Sequence, residues 1–180
     1  MSSSGSPTGV ELPEVTIVVS DEQTDVVVDA TRWAGLARAV LVAEGCSGEL
    51  TLTFVDVSEM AELNAEHMGK SGPTDVLSFP LDAFDDDPGS PGPVLPGPLL
   101  LGDVVICPAV AAEAAPSHAG TIDDEIALLV VHGILHVLGH DHAEPEETQR
   151  MRSRELEHLV QLHWHAPPPN GFAQEQEEGS

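Results

Sequence analysis

Tyrosine is missing from this chain, and aromatic residues make up only 3% of its 180 positions. A buried core must therefore be built mostly from Val, Leu, Ile and Ala, which the apolar content of 41% can supply. Basic residues are scarce: six Lys and Arg stand against 31 acidic residues, for a formal net charge of -25. Such a chain repels nucleic acid on average, so any polyanion it handles must be met locally, by a metal ion or a small basic patch. Half of the basic residues, Arg150, Arg152 and Arg154, fall close together and read as a solvated helix face. There are two cysteines, Cys46 and Cys107, in neither a CxxC nor a zinc-knuckle spacing. They read as free, reduced thiols of a cytosolic protein. No apolar stretch approaches membrane-spanning length, and the opening MSSSGSPTGVELPE lacks the basic start and apolar run of a secretory signal. The expectation is a cytoplasmic protein with no membrane association.

The length favours one domain. Residues 1–13, rich in Ser, Gly and Pro, and residues 166–180, Pro-rich and then acidic, read as tails around a domain spanning 14–165. Val15–Ser20 reads as a strand. Thr31 to Glu44 reads as a helix, with Trp33, Leu36, Ala37, Val40 and Leu41 on one face and Gly45 as its stop. A strand at Glu49–Asp56 follows, then a helix over Glu59–Met68 capped by Ser58. Strands are expected at Asp75–Leu81 and Leu99–Cys107, separated by a Pro-, Gly- and Asp-rich connection over residues 82–98. Pro108 opens a short Ala-rich helix. Asp123–Leu138 is apolar nearly all round, so it should be a central, buried helix, and Pro145 to Leu162 forms the last one. These elements make an α+β domain: a mixed sheet of about four strands with helices packed on it. The order of the strands is not readable.

The stretch Val131–His142, VHGILHVLGHDH, carries the chemistry. His132 and His136 stand at i and i+4 on the buried helix, so one turn puts both imidazoles on the same face, as two ligands of one ion require. Gly139 can take the left-handed conformation and turn the chain back, bringing His142 over the helix as a third ligand. His140 is a rival third ligand, but lies closer to the helix end, and the longer excursion after Gly139 favours His142. One such histidine on an apolar helix is usually a satisfied core residue; three at this spacing are not, because burying unpaired rings costs a few kcal/mol each. Asp141 reads as a turn residue or a hydrogen-bond partner behind the ligands. Three nitrogen ligands leave a fourth position for water, the arrangement of catalytic and not structural zinc, so hydrolysis is the expected chemistry. Imidazole also suits nickel, copper and iron, so zinc is the expectation and not a deduction.

The spacing HxxxHxxGxxH occurs in metzincin peptidases, which need a glutamate directly after the first histidine as general base. Here that position is Gly133, which has no side chain, and the peptidase reading loses its base. Glu125, two turns earlier on roughly the same helix face, is a weak candidate for supporting the ligands from behind, and reads more readily as an N-terminal acid facing water.

HGILHVLGHDH, together with GKSGPTDVLSFP (Gly69–Pro80) and LLGDVVIC (Leu100–Cys107), resembles the YbeY family, bacterial endoribonucleases and rRNA maturation factors. The resemblance spans roughly Leu50 to Leu162. It implies an α+β, zinc-dependent, single-strand-specific endoribonuclease of the cytoplasm, acting in 16S rRNA 3′-end maturation and ribosome quality control. It also implies His132, His136 and His142 as the ligands of one Zn²⁺ ion, with ribosomal RNA and the small ribosomal subunit as partners. The chain departs from the family pattern twice. His140 stands where a tyrosine is usual, and Met68 stands where many members carry a cleft-lining arginine before the Gly-Lys pair. Lys70 remains as the basic residue to contact phosphate, while Asp75 and Ser78 of the same motif read as turn and strand-packing residues; the general base is not identified. The acidic balance favours a second function, a metal-stabilised ribosome-assembly factor that meets basic ribosomal proteins through Asp82–Asp87 or the acidic tail.

Overall fold

The computed structural model describes residues 14–81, 99–140 and 144–174. Expectations for residues 1–13, for the connection at 82–98, and for Asp141 and His142 lie outside the described residues.

The alternating stretch ELTLTF becomes a strand because Leu50, Leu52 and Phe54 can all point one way while Glu49, Thr51 and Thr53 point the other. It forms β2 (Gly48–Phe54), which pairs in parallel with β1 (Val15–Asp21) on one side and with β4 (Leu100–Ile106) on the other. Strand β3 (Val76–Pro80) completes the sheet antiparallel to β4, in the order β1-β2-β4-β3. The sheet is thus four-stranded and mixed, as the α+β reading expects.

Helix α1 (Ala30–Ala43) starts where the Asp29 carboxylate accepts the Arg32 N–H, and buries Trp33, Leu36, Ala37, Val40 and Leu41 against the sheet. Helix α2 (Val57–Leu63) is capped by Asp56, whose carboxylate accepts the Glu59 N–H at 2.8 Å, and not by Ser58. A carboxylate at the positive end of the helix outcompetes a neutral hydroxyl. The expected single helix to Met68 changes to a π-helical turn over Asn64–Met68, and its buried Asn64 donates from Nδ2 to the Gly72 carbonyl at 2.8 Å. That bond ties the loop carrying Lys70 to the helix before it. After β4, Pro108 opens α3 (Pro108–Ala114). Helix α4 (Ile122–Val137) is capped by Thr121, and α5 (Pro145–His158) by a capping box between Glu144 and Glu147, before a second π-helical turn at Leu159–Trp164.

Helix α4 is the spine of the domain. Ile126, Ala127, Val130, Val131, Ile134, Leu135 and Val137 are buried in one cluster with the inner faces of α1, β2 and β4. Each Val, Leu and Ile among them contributes roughly 1.5–3 kcal/mol by leaving water, so whatever α4 carries is held on a rigid base. A smaller cluster of Val55, Met60, Leu77, Val105 and Cys107 seals the opposite face of the sheet. Both cysteines are free thiols. Among the described residues no helix is long and apolar enough to cross a membrane.

Candidate metal centre

Helix α4 lies tight against the sheet at Gly133. A Cβ added there would lie 2.7 Å from Val104 Cγ1 and 3.2 Å from Ser78 Oγ, so only glycine fits. Ser78 Oγ donates to the Gly133 carbonyl at 3.0 Å, fixing β3 to the helix at the same point. Residue 133 therefore faces the sheet, and the half-buried rings of His132 and His136 lie off that contact. Their centroids are 4.6 Å apart, with ring planes at 75°.

His132 is held from behind. Its Nδ1 lies 2.5 Å from Oε2 of Glu155, a residue of α5 that is only 3% exposed. An ionised carboxylate can only accept there, so the ring donates from Nδ1, which leaves Nε2 as the nitrogen that ligates a cation when the ring is neutral. The sequence reading missed Glu155, although a signal was present. Met151, Glu155, His158 and Leu159 all lie buried at spacings of four, three and one, so an acid occupies a core-facing position of α5.

The end of α4 is built to redirect the chain. Gly139 has φ +101°; its N–H reaches the His136 carbonyl at 3.0 Å, and the His140 N–H reaches back to the Leu135 carbonyl at 2.9 Å. These two bonds form a Schellman motif, which turns the chain away from the helix axis just before residues 141 and 142. His140 lies in the turn itself. Among the described residues there is no group of three or more His, Cys, Asp or Glu that could hold a metal, and the third expected ligand, His142, is outside them. The described part of the site fits a metal through its donor chemistry: two imidazoles one turn apart, one with its tautomer set by a buried carboxylate.

Glu125 does not face water. It is fully buried, with its two carboxylate oxygens each 2.9 Å from His118 Nδ1 and Oε1 accepting the Ala119 N–H at 3.1 Å. The segment before α4 folds over the first turn of the helix and supplies these partners, so a position that reads as a solvated helix start becomes an interior one. Asp75, at the mouth of β3, completes this acidic group. Burial first, and then the charge of Glu125, push its carboxyl above the usual range, with His132 pulling the other way. Asp75 thus stands in the field of both Glu125 and His132, a role the expected turn-and-packing function does not cover, whereas Ser78 does pack as expected.

The raised Asp75 carboxyl has a consequence for stability. The folded protein holds the Asp75 proton more tightly than the unfolded chain does, so the cost of ionisation sets in as pH rises above the unfolded value of about 3.9 and is complete above the raised folded value. Asp75→Asn is therefore expected to raise the melting temperature of metal-free protein at pH 7. The gain should shrink towards zero as the pH falls below about 3.9, where both forms are neutral. Thermal denaturation of both proteins across this range checks it; an Asn variant less stable at pH 7 would contradict the assignment.

The basic residues are dispersed. Lys70 is exposed on the loop before β3 and is joined to the histidine pair by no side-chain hydrogen bond or ion pair among the described residues; Met68, also exposed, precedes it. Of the arginine cluster, Arg150 and Arg152 are exposed, as a solvated face requires. Arg154 instead donates from Nε to Glu44 at 2.8 Å, where Glu44 also meets His158 Nε2 at 2.6 Å, clamping α5 to the end of α1.

The sequence profile of the family described as Endoribonuclease YbeY matches residues 18–163. The chain belongs to the YbeY family. Curated relatives named Endoribonuclease YbeY include one from Beutenbergia cavernae, 46% identical over 139 residues that span 74% of this chain and 87% of the relative. One from Thermobifida fusca is 47% identical over 140 residues, 77% of this chain and 88% of the relative. One from Mycolicibacterium vanbaalenii is 38% identical over 169 residues, 91% of this chain and 88% of the relative. Among solved structures, the solution structure of TM1509 from Thermotoga maritima is similar, with a TM-score of 0.53 at 23% identity, covering 83% of this chain and 93% of that one. That likeness concerns the fold alone. The YbeY match ends at residue 163, so the segment that follows is not part of what the family profile covers.

Proposed function

We propose that this YbeY-family chain is a zinc-dependent, single-strand-specific endoribonuclease of the cytoplasm, acting in 16S rRNA 3′-end maturation and ribosome quality control. The observation that carries the reading is the pair His132 and His136 on the buried helix, with His132 oriented by Glu155, in a chain whose relatives are named Endoribonuclease YbeY. His132 and His136 would hold the ion together with His142. When bound, Zn²⁺ supplies Lewis-acid polarisation of a phosphodiester oxygen. The chain's own residues do the rest: α4 fixes the two rings on an unyielding base, Glu155 holds the His132 tautomer, and Lys70 contacts a phosphate of the bound strand. Gly133 argues against peptide hydrolysis, since its position is turned into the sheet and has no room for a base.

The net charge of -25 favours a second reading, a ribosome-assembly factor that engages basic ribosomal proteins and uses its metal for structure. The two are separated by incubating Zn²⁺-loaded protein with single-stranded and duplex RNA, with and without chelator. The proposal expects chelator-sensitive cleavage confined to the single strand; intact RNA in every lane would favour the assembly factor. Lys70→Ala is expected to lower kcat/KM by roughly threefold to tenfold and to flatten its salt dependence by about one phosphate contact. An unchanged salt slope would remove Lys70 from the binding surface.

A further inference from the structure

The carboxylate that orients His132 is itself held, and the residue that holds it lies beyond the family match. After the π-helical turn at Leu159–Trp164, His165 takes φ +56° and the chain reverses. Phe172 then packs edge-on against Trp164, with centroids 4.8 Å apart at 81°, while Trp164 is anchored through Nε1 to Asp124 at 2.9 Å. The Ala173 N–H donates to the His118 carbonyl at 2.9 Å, fixing the returning chain to the segment that covers Glu125. At the next residue, Gln174 Nε2 donates to the Arg152 carbonyl and to Glu155 Oε1, both at 3.1 Å. Both partners are acceptors, so the amide can only be oriented with its nitrogen inward. Glu155 is therefore gripped at both oxygens, Oε1 by Gln174 and Oε2 by His132. What reads in the sequence as a tail is laid against the domain from His165 to Gln174, and Gln174 meets the group behind the expected metal ligand.

We infer that the segment from His165 to Gln174 is a strap whose Gln174 side chain positions Glu155, and through it His132, so that this segment sets how tightly the metal is held. The inference rests on the metal-site reading above. Gln174 touches neither metal nor substrate; it is a positioning residue. With Oε1 tied to Gln174, the carboxylate plane is fixed and Oε2 stays aligned with Nδ1. Without the tie the carboxylate can rotate, and the ring loses its set direction and tautomer before a cation arrives.

The test compares Zn²⁺ affinity, by competition with a chromogenic chelator, in full-length wild type and in Gln174→Ala, Gln174→Glu and Glu155→Gln, beside the melting temperature of each metal-free protein. Gln174→Ala is expected to weaken Zn²⁺ binding by roughly threefold to tenfold, the net worth of one ordinary hydrogen bond acting through Glu155. Gln174→Glu should weaken it further, because it sets a like charge against Glu155, and Glu155→Gln should cost about 10- to 100-fold. Metal-free melting of Gln174→Ala should change little, since the side chain lies in a partly exposed segment. A lowered metal-free melting temperature with unchanged Zn²⁺ affinity would make the strap structural only and overturn the inference. If wild type itself takes up no Zn²⁺, the metal-site reading fails and the strap's role with it; if wild type binds and the Gln174 variants match it, the strap alone fails.

Discussion

Replacing His136 with Ala is expected to lower Zn²⁺ affinity by more than about 100-fold, beyond the loss that follows from removing a partner behind a ligand, and to abolish cleavage of single-stranded RNA. The fold should survive. His136 is half-buried on a helix whose stability comes from the buried apolar residues along its length, and Ala is the best helix former. Metal-free melting of the variant should therefore stay close to wild type. Loss of metal and activity with an intact fold separates a ligand from a packing residue. RNA cleavage that persists at the wild-type rate in His136→Ala would trace the activity to another nuclease and leave the enzymatic reading without support.

The second large effect is at Gly133. Gly133→Glu writes the peptidase motif into the helix, giving HExxH, yet it should yield no peptidase. The new Cβ would sit 2.7 Å from Val104 Cγ1, and the carboxylate would be driven into the sheet with no partner. Overpacking costs about 1–3 kcal/mol and an unpaired buried charge several more, so the variant is expected not to fold. Gly133→Ala isolates the steric part. Its gain in helix propensity, about 1 kcal/mol, opposes the same contact, so a net loss of up to about 2 kcal/mol is expected by urea denaturation. A folded Gly133→Glu protein with peptidase activity would contradict the packing account.

The parts of this molecule that were legible in its sequence are the local ones. The period of α1, the alternation of β2, the apolar run of α4 and the i,i+4 spacing of His132 and His136 are each written within one element. The glycine after α4 was legible for the same reason, since a Schellman turn needs a left-handed residue one step past the helix. The rest depends on what distant segments do. Glu125 reads as solvated because nothing in α4 says that residues 117–119 will fold over it. Glu155 reads as one acid among many on a charged helix until the packing of Met151 and Leu159 shows which face is inside. The strand order β1-β2-β4-β3 places β3 at an edge beyond β4, a long-range pairing carried by no short motif. Asp75 acquires its raised carboxyl from burial first and then from the charge of Glu125, 50 positions away, and only the tertiary fold supplies both.

The most direct measurement is the metal content of protein purified without chelating resin or chelator, set against that of the His132→Ala, His136→Ala and His142→Ala variants. Wild type should carry close to one equivalent of zinc per chain, and each single variant should lose most of it. A wild-type protein devoid of transition metal and unable to take up Zn²⁺, or one whose content is indifferent to all three substitutions, would contradict the account.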